Sequence, residues 1–326
     1  MNLMSSGKFD LNAVCDLITK HGYLRVALQF PDEFLAKCIS IYSYIIKKIA
    51  NSAVDVFIIG DSTYGSSIDD ISAQHIDGDV LVYFGSDLSS SGSMPVIVVP
   101  FDLEFNCEYC IEQFYASLDQ NSSDMSSPVL LLYELSYSKA IRKSGGLAIM
   151  TNLTIAHLPP SADLSNWDPK TSQLPYTFTK DKTSKVGGLI VSSELLNNPD
   201  LIVWYIGEKE EQLVSINIRM SECIIVSFNP MRNKNELRKG CECKEFRERY
   251  GGLLRVKDAK IIGIVVGSMG LAGEVTQAIV SRLEVLISAA RKNSYVFVMG
   301  RLNEAKLCNF PEVSKKKYRR RMCTTL

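Results

Sequence analysis

The stretch "VDVFIIGDSTYGSSIDD" (residues 54–70) joins an apolar run to a loop of small and acidic residues. A short run of Val, Phe and Ile closed by glycine reads as a strand buried on both faces, which is the habit of parallel sheets. The loop behind it then falls at the C-terminal end of a parallel strand, where α/β proteins carry their chemistry. Asp61, Asp69 and Asp70 frame this loop, Tyr64 and Gly65 lie inside it, and Ser66 and Ser67 stand at its centre. Carboxylates at such a place serve metals or cationic groups. Aspartate also caps helices, and Asp69 or Asp70 ahead of "ISAQHI" suits that role.

Working outward, "YLRVALQFP" (residues 23–31), "DVLVYFG" (79–85) and "MPVIVVPF" (94–101) read as further buried strands. Leu35, Ile39, Tyr42, Ile46 and Ile49 recur at helical spacing and predict an amphipathic helix capped by Asp32. After the polar "LDQNSSDMSS" the pattern restarts, with "PVLLLYE", "GLAIMTNL", "GGLIVSS", "PDLIVWYIG" and "ECIIVSFNP" as strands. Within this second unit "LPPSADLSNWDPKTSQLPYTFTKDKTSKV" reads as an irregular excursion. A third restart follows the charged "MRNKNELRKGCECKEFRERYGG". Its strands are "AKIIGIVVGSMG" and "SYVFVMG", and its helix stripe is Val275, Ile279, Leu283, Leu286 and Ala290. The expected organisation is α/β in three successive parallel-sheet units, residues 1–125, 126–250 and 251–326, the third of them truncated and ending in a basic tail.

Composition narrows the function classes. Of 326 residues 46% are hydrophobic, and 36 Lys and Arg balance 36 Asp and Glu. No global charge draws the chain to a membrane or to direct contact with nucleic acid. Its longest apolar runs, such as "IIGIVVG", are too short to span a bilayer. The N-terminus lacks the basic-then-apolar order of a signal peptide, so a cytoplasmic address is expected. Lys or Arg fills six of the seven positions 315–321, which reads as a solvated end.

Three motifs could carry chemistry. "GSMGLAG" sets Gly267, Gly270 and Gly273 between a strand and a helix, where free N–H groups can hold phosphate. The spacing is GxxGxxG rather than the dinucleotide GxGxxG, so tight strand-to-helix packing is the plainer reading. Among nine cysteines, Cys107 and Cys110 form a CxxC and Cys241 and Cys243 a CxC, in different units and without partners at zinc-finger spacing. An odd cysteine count without a secretory signal argues for free thiols. His21, His75 and His157 are the only histidines, and none has the neighbours of a Ser-His-Asp site.

"VALQFPDEFL" followed by "IIGDSTYGSSIDDISAQHIDGDVLVYFG" resembles the diphthamide-synthesis family, the 2-(3-amino-3-carboxypropyl)histidine synthases. "WYIG" and "SFNP" resemble its middle unit, and "VKDAKIIGIVVGSMGLAGE" and "YVFVMGRLNEAKLCNFPEV" the start of its third. The combination points to the second subunit of the eukaryotic two-subunit enzyme. The resemblance implies three Rossmann-like domains around a central site, with one cysteine from each holding a [4Fe–4S] cluster. It implies cleavage of S-adenosylmethionine and transfer of its aminocarboxypropyl group to a histidine of translation elongation factor 2. It also implies a heterodimer with the first subunit, which carries the catalytic cluster while the second supports it. The implied cofactor-binding residues are Asp61, Tyr64, Gly65, Ser67 and Gly267.

Ser67 stands where the family has a cluster cysteine, and after "NFPEV" the chain turns to "SKKKYRRRMCTTL" instead of a strand ending in cysteine. Serine is a poor ligand for iron–sulfur clusters, which take soft thiolates. The expectation is an accessory subunit without its own cluster, with no catalytic or metal-ligating residue assigned. The alternatives are an active enzyme with ligands from Cys107, Cys110, Cys241 or Cys243, and an S-adenosylmethionine-binding module that has lost the chemistry.

Overall fold

The computed structural model describes residues 8–50, 53–60, 68–86, 94–120, 127–144, 150–170, 183–267, 273–299 and 304–310. The chain is mixed α/β with parallel sheets and divides into two units, residues 1–247 and 248–326. The basic tail lies outside the described residues. No helix among the described residues is long and apolar enough to cross a membrane.

In the first unit, helix α1 (Leu11–His21) leads to strand β1 (Arg25–Gln29), and a 3₁₀ turn with helix α2 (Cys38–Ile49) leads to β2 (Asp55–Ile59). Helix α3 (Asp70–His75), β3 (Val80–Phe84) and β4 (Val96–Val99) complete a parallel sheet of order β2-β1-β3-β4. All five residues of β3 are buried, as a parallel strand covered on both faces requires. Val26, Leu28, Val82, Phe84, Ile97 and Val99 face α1 and α2. The opposite face, with Ala27, Leu81, Tyr83, Val96 and Val98, joins one continuous cluster with the second sheet.

That second sheet is built from β5 (Val129–Tyr133), β6 (Leu153–Ile155), β9 (Ile202–Ile206), β10 (Ile224–Asn229) and β11 (Lys234–Lys239), in the order β11-β10-β9-β5-β6. Helix α4 (Cys107–Gln120) packs on it, stacking Phe114 on Trp204 at 4.4 Å. Helix α5 (Ser138–Lys143) joins β5 to β6. Strands β7 (Thr183–Val186) and β8 (Leu189–Ser192) form a separate antiparallel hairpin, so "GGLIVSS" lies outside the parallel array. The charged segment predicted to separate units instead begins as β11, an antiparallel edge strand. Lys234, Glu236 and Arg238 pair along one of its faces while Leu237 packs inward. An edge strand tolerates such charge and uses it to repel unwanted pairing. The excursion before β7 also contributes to packing. Trp167 is 4% exposed in the core of the first sheet, and its Nε1–H donates to the Val96 carbonyl at 2.9 Å.

The predicted stripe on α2 is corrected. Residues Asp32–Lys37 form a 3₁₀ turn, which shifts the phase, so Ile41 and Ile45 are the buried positions while Leu35, Ile39 and Ile46 are exposed. Asp32 makes no cap hydrogen bond, because Pro31 occupies the cap position.

The second unit holds β12 (Ile261–Gly267) and β13 (Asn293–Met299), paired in parallel, preceded by the end of a helix at Lys244–Asp258 and followed by Glu304–Leu307. A helix at Gly273–Ala289 crosses between the strands and turns Ile287 inward, while Ile279 and Leu286 of the predicted stripe are exposed. Leu283 of that stripe is half-buried, so the inward face runs through Leu283 and Ile287. Lys292 Nζ donates to the carbonyls of Val256, Lys257 and Ala259, neutralising the C-terminus of the helix at Lys244–Asp258.

Two outcomes follow. Trp167→Ala removes a buried ring and a hydrogen bond and should cost about 3–5 kcal/mol in urea denaturation, while Ile39→Ala should change stability by less than about 0.5 kcal/mol. By hydrogen exchange, amides of β12 should open at lower free energy than those of β3, because two-stranded sheets are marginal. Equal protection would show the second unit to be as stable as the first.

Candidate functional site

Strand order locates the site. In the first sheet, β1 connects to β2 on one side while β3 lies on the other, which makes a switch point between β1 and β3. In the second, β5 connects to β6 on one side and pairs with β9 on the other. Ligands bind in the crevices that open at the C-terminal ends of such strand pairs.

Both crevices carry polar groups directly after apolar runs. Gln29, the last residue of β1, is 1% exposed, and its Oε1 accepts from the Asp69 amide at 3.0 Å. Asp69 caps α3, accepting from Ser72 N at 3.0 Å and Ser72 Oγ at 2.7 Å. This is the capping role read for it in the sequence. Glu134 follows β5, is 6% exposed, and its Oε2 accepts from the amides of Glu208 at 3.0 Å and Lys209 at 3.3 Å. The hydroxyl of Tyr137 donates to the Glu208 carboxylate. Lys209 Nζ donates to Ser86 Oγ, just past β3, at 2.5 Å, so the two crevices meet.

Glycine permits this crowding. A Cβ on Gly207 would lie 2.7 Å from the Tyr205 ring carbon Cζ and 3.0 Å from Glu134 Cβ. A Cβ on Gly85 would meet Tyr83 in the same way at 2.5 Å. Both tyrosines are at most 1% exposed, so their rings have no room to yield.

Burial sets the electrostatics. It pushes the Glu134 carboxyl above its usual range, against the opposing pull of the Glu208 amide and the Lys209 charge. Burial also raises the Tyr137 phenol, helped by its bond to Glu208, and raises Tyr205, helped by Glu134 and Glu208. Glu134 thus pins the backbone of Glu208 and Lys209, whose side chains bond to Tyr137 and Ser86.

Of the residues expected at the site, Asp61, Tyr64, Gly65 and Ser67 lie outside the described residues. Their segment leaves from the end of β2 and is described again at Ile68, with Asp69 bound to the end of β1. Gly267 ends β12 in the second unit, opposite Met299. Cys107 and Cys110 lie in α4, and burial pushes the Cys110 thiol far up. Cys241 is exposed and Cys243 buried in the turn after β11. Among the described residues there is no group of three or more His, Cys, Asp or Glu that could hold a metal ion. A cavity of about 170 Å³ between β6 and β8 is apolar and smaller than the roughly 300–1,000 Å³ of ligand pockets. Sequence reading missed Gln29, Ser86, Glu134, Tyr137, Glu208 and Lys209. The available signal was the polar residue that ends or follows each apolar run in "VALQ", "VYFGS", "LLLYE" and "WYIGEK".

The family model described as "Putative diphthamide synthesis protein" matches residues 30–315. The second subunit of 2-(3-amino-3-carboxypropyl)histidine synthase from Danio rerio is 29% identical over 314 residues, covering 92% of this chain and 59% of that protein. Its Schizosaccharomyces pombe counterpart is 29% identical over 309 residues, covering 94% and 58%, and the Homo sapiens one 27% over 328, covering 94% and 62%. The chain thus spans about three fifths of the length of these relatives. The crystal structure of Dph2 from Pyrococcus horikoshii superposes with a TM-score of 0.60 at 15% identity, covering 93% of this chain and 81% of that one. The same protein with a 4Fe-4S cluster gives 0.61.

Replacing Glu134 tests the pinned turn. Glu134→Ala leaves two amides without their acceptor and should cost about 1–3 kcal/mol for each that stays buried, while Glu134→Gln keeps an amide oxygen and should cost less. The raised carboxyl contributes stability that is complete below the ordinary carboxylate pKa and lost as pH rises through the raised value. Glu134→Gln should therefore gain on the wild type as pH rises from the ordinary carboxylate pKa towards the raised one, and a flat difference would refute the burial argument. Gly207→Ala should cost about 1–3 kcal/mol by overpacking.

Proposed function

The chain belongs to the diphthamide-synthesis family, and on that premise we propose that it is the second subunit of a 2-(3-amino-3-carboxypropyl)histidine synthase. The single observation that carries this reading is the match over residues 30–315 to a family whose relatives are named as that subunit. In this reading the chain forms a cytoplasmic heterodimer with a first subunit. The complex transfers the 3-amino-3-carboxypropyl group of S-adenosylmethionine to a histidine of translation elongation factor 2, in the first step of diphthamide biosynthesis. The chain has three Rossmann-like sheets and supports radical chemistry performed on the partner's cluster.

The absence of its own cluster belongs to the same proposal. Ser67 replaces the thiolate expected from the family, and the described cysteines gather in no set of three with other ligand types. No step is assigned to iron on this chain. What the described residues supply is the polar crevice at Glu134, Glu208 and Lys209, described above.

Co-expression with a first-subunit homologue should give a one-to-one complex in gel filtration that modifies elongation factor 2. A chain that ignores this partner overturns the reading. Anaerobic reconstitution of the chain alone should leave no stoichiometric iron, and about four irons per chain would refute the cluster-free assignment.

A further inference from the structure

We propose that Cys107 and Cys110 of α4 form a thiol–disulfide exchange site, Cys107 attacking a small-molecule disulfide and Cys110 resolving the adduct into a bond between the two. The proposal goes beyond the subunit reading above and stands without it, since it uses neither iron nor the strand-end crevices. Both cysteines are free thiols in the structure.

Three observations carry it. First, the two residues open a 14-residue helix, one turn apart on the same face. Asn106 fixes that turn, its Oδ1 accepting from the Tyr109 amide and its carbonyl from the Cys110 amide, each at 3.1 Å. Helical rise and rotation put Cα atoms three residues apart at about 5 Å, inside the roughly 4.4–6.8 Å that a disulfide spans. Second, the thiols differ in access. Cys107 is half-buried and can meet a ligand, whereas Cys110 is 1% exposed and belongs to the core cluster. An attacking thiol must be reachable, and a resolving thiol need only be reachable from it. Third, the two sulfurs feel each other. Burial raises the Cys110 thiol, and the charge of Cys107 raises it further. Burial also raises Cys107, against a hydrogen bond with Ser144, at the end of α5, that favours its thiolate.

The exchange balances with the disulfide as its only co-reactant. The Cys107 thiolate attacks one sulfur of that disulfide, whose S–S bond breaks as a mixed disulfide forms, and the first half leaves as thiolate. Cys110 then attacks the Cys107 sulfur, and the second half leaves. The protons lost by the two cysteines end on the two released thiols. The chain is thereby oxidised by two electrons and the small disulfide reduced by two. The raised thiols slow the first attack at neutral pH, and as poor leaving groups they slow the reverse reaction.

Oxidised glutathione is the probe. The reduced full chain is incubated with it near the ordinary thiol pKa of about 8.5, then unfolded, alkylated and mapped by peptide mass. The wild type should lose both alkylation sites of α4 together, with no glutathione retained, and dithiothreitol should restore them. Cys110→Ala should instead keep one glutathione on Cys107, while Cys107→Ser should leave Cys110 fully alkylated. The wild-type map decides by itself should either variant fail to fold. Cys107 and Cys110 still alkylated in the wild type, glutathione stably held on wild-type Cys107, or oxidation confined to Cys241 and Cys243 overturns the proposal.

Discussion

A parallel sheet has to be covered on both faces, and the first sheet of this chain has α1 and α2 on one face but only the short α3, through Ala73, on the other. The face carrying Ala27, Leu81, Tyr83 and Val98 is closed by the cluster that runs on through Cys110 and Phe114 of α4 into the second sheet. The two sheets therefore form one unit, and the apolar continuity between them is the condition for the rest of the fold. Trp167 adds a second tie, because a residue from the excursion of the second sheet is buried in the core of the first.

That closure brings the strand ends together. Lys209 can reach Ser86 only because the ends of β9 and β3 are neighbours. Polar groups in such a place carry a desolvation cost unless paired, and the pairing is dense: a buried carboxylate on two amides, a phenol on a carboxylate, a glutamine on a backbone N–H. Gly85 and Gly207 keep the backbone close enough for those bonds to form. Packing and chemistry thus share one set of residues at the switch points.

The second unit shows what happens with less closure. Its two strands leave Tyr295, Val296 and Val298 exposed, and its most buried side chains among the described residues, Ile264 and Ile287, are each 9% exposed. Its local order comes from the Lys292 contacts and from Phe297 against Phe310 at 4.7 Å.

The sequence by itself determined the strands. Short runs rich in β-branched and aromatic residues, such as "VLVYF" and "IVWYI", read as buried strands, and their order already implied α/β sheets and, through longer segments, the family. It did not determine which helical face turns inward. Leu35, Ile39 and Ile46 are as apolar as Ile41 and Ile45, and only the 3₁₀ turn ahead of α2 sets the phase. Nor could it show that charged "KNELRK" is an edge strand, since pairing with β10 comes from a neighbour and not from local preference. The capping role of Asp69 was legible because it stands just ahead of the helical stretch "ISAQH". Glu134, Glu208 and Lys209 were not, because they are 74 and 75 residues apart in the chain and become one site only when β5 and β9 pair.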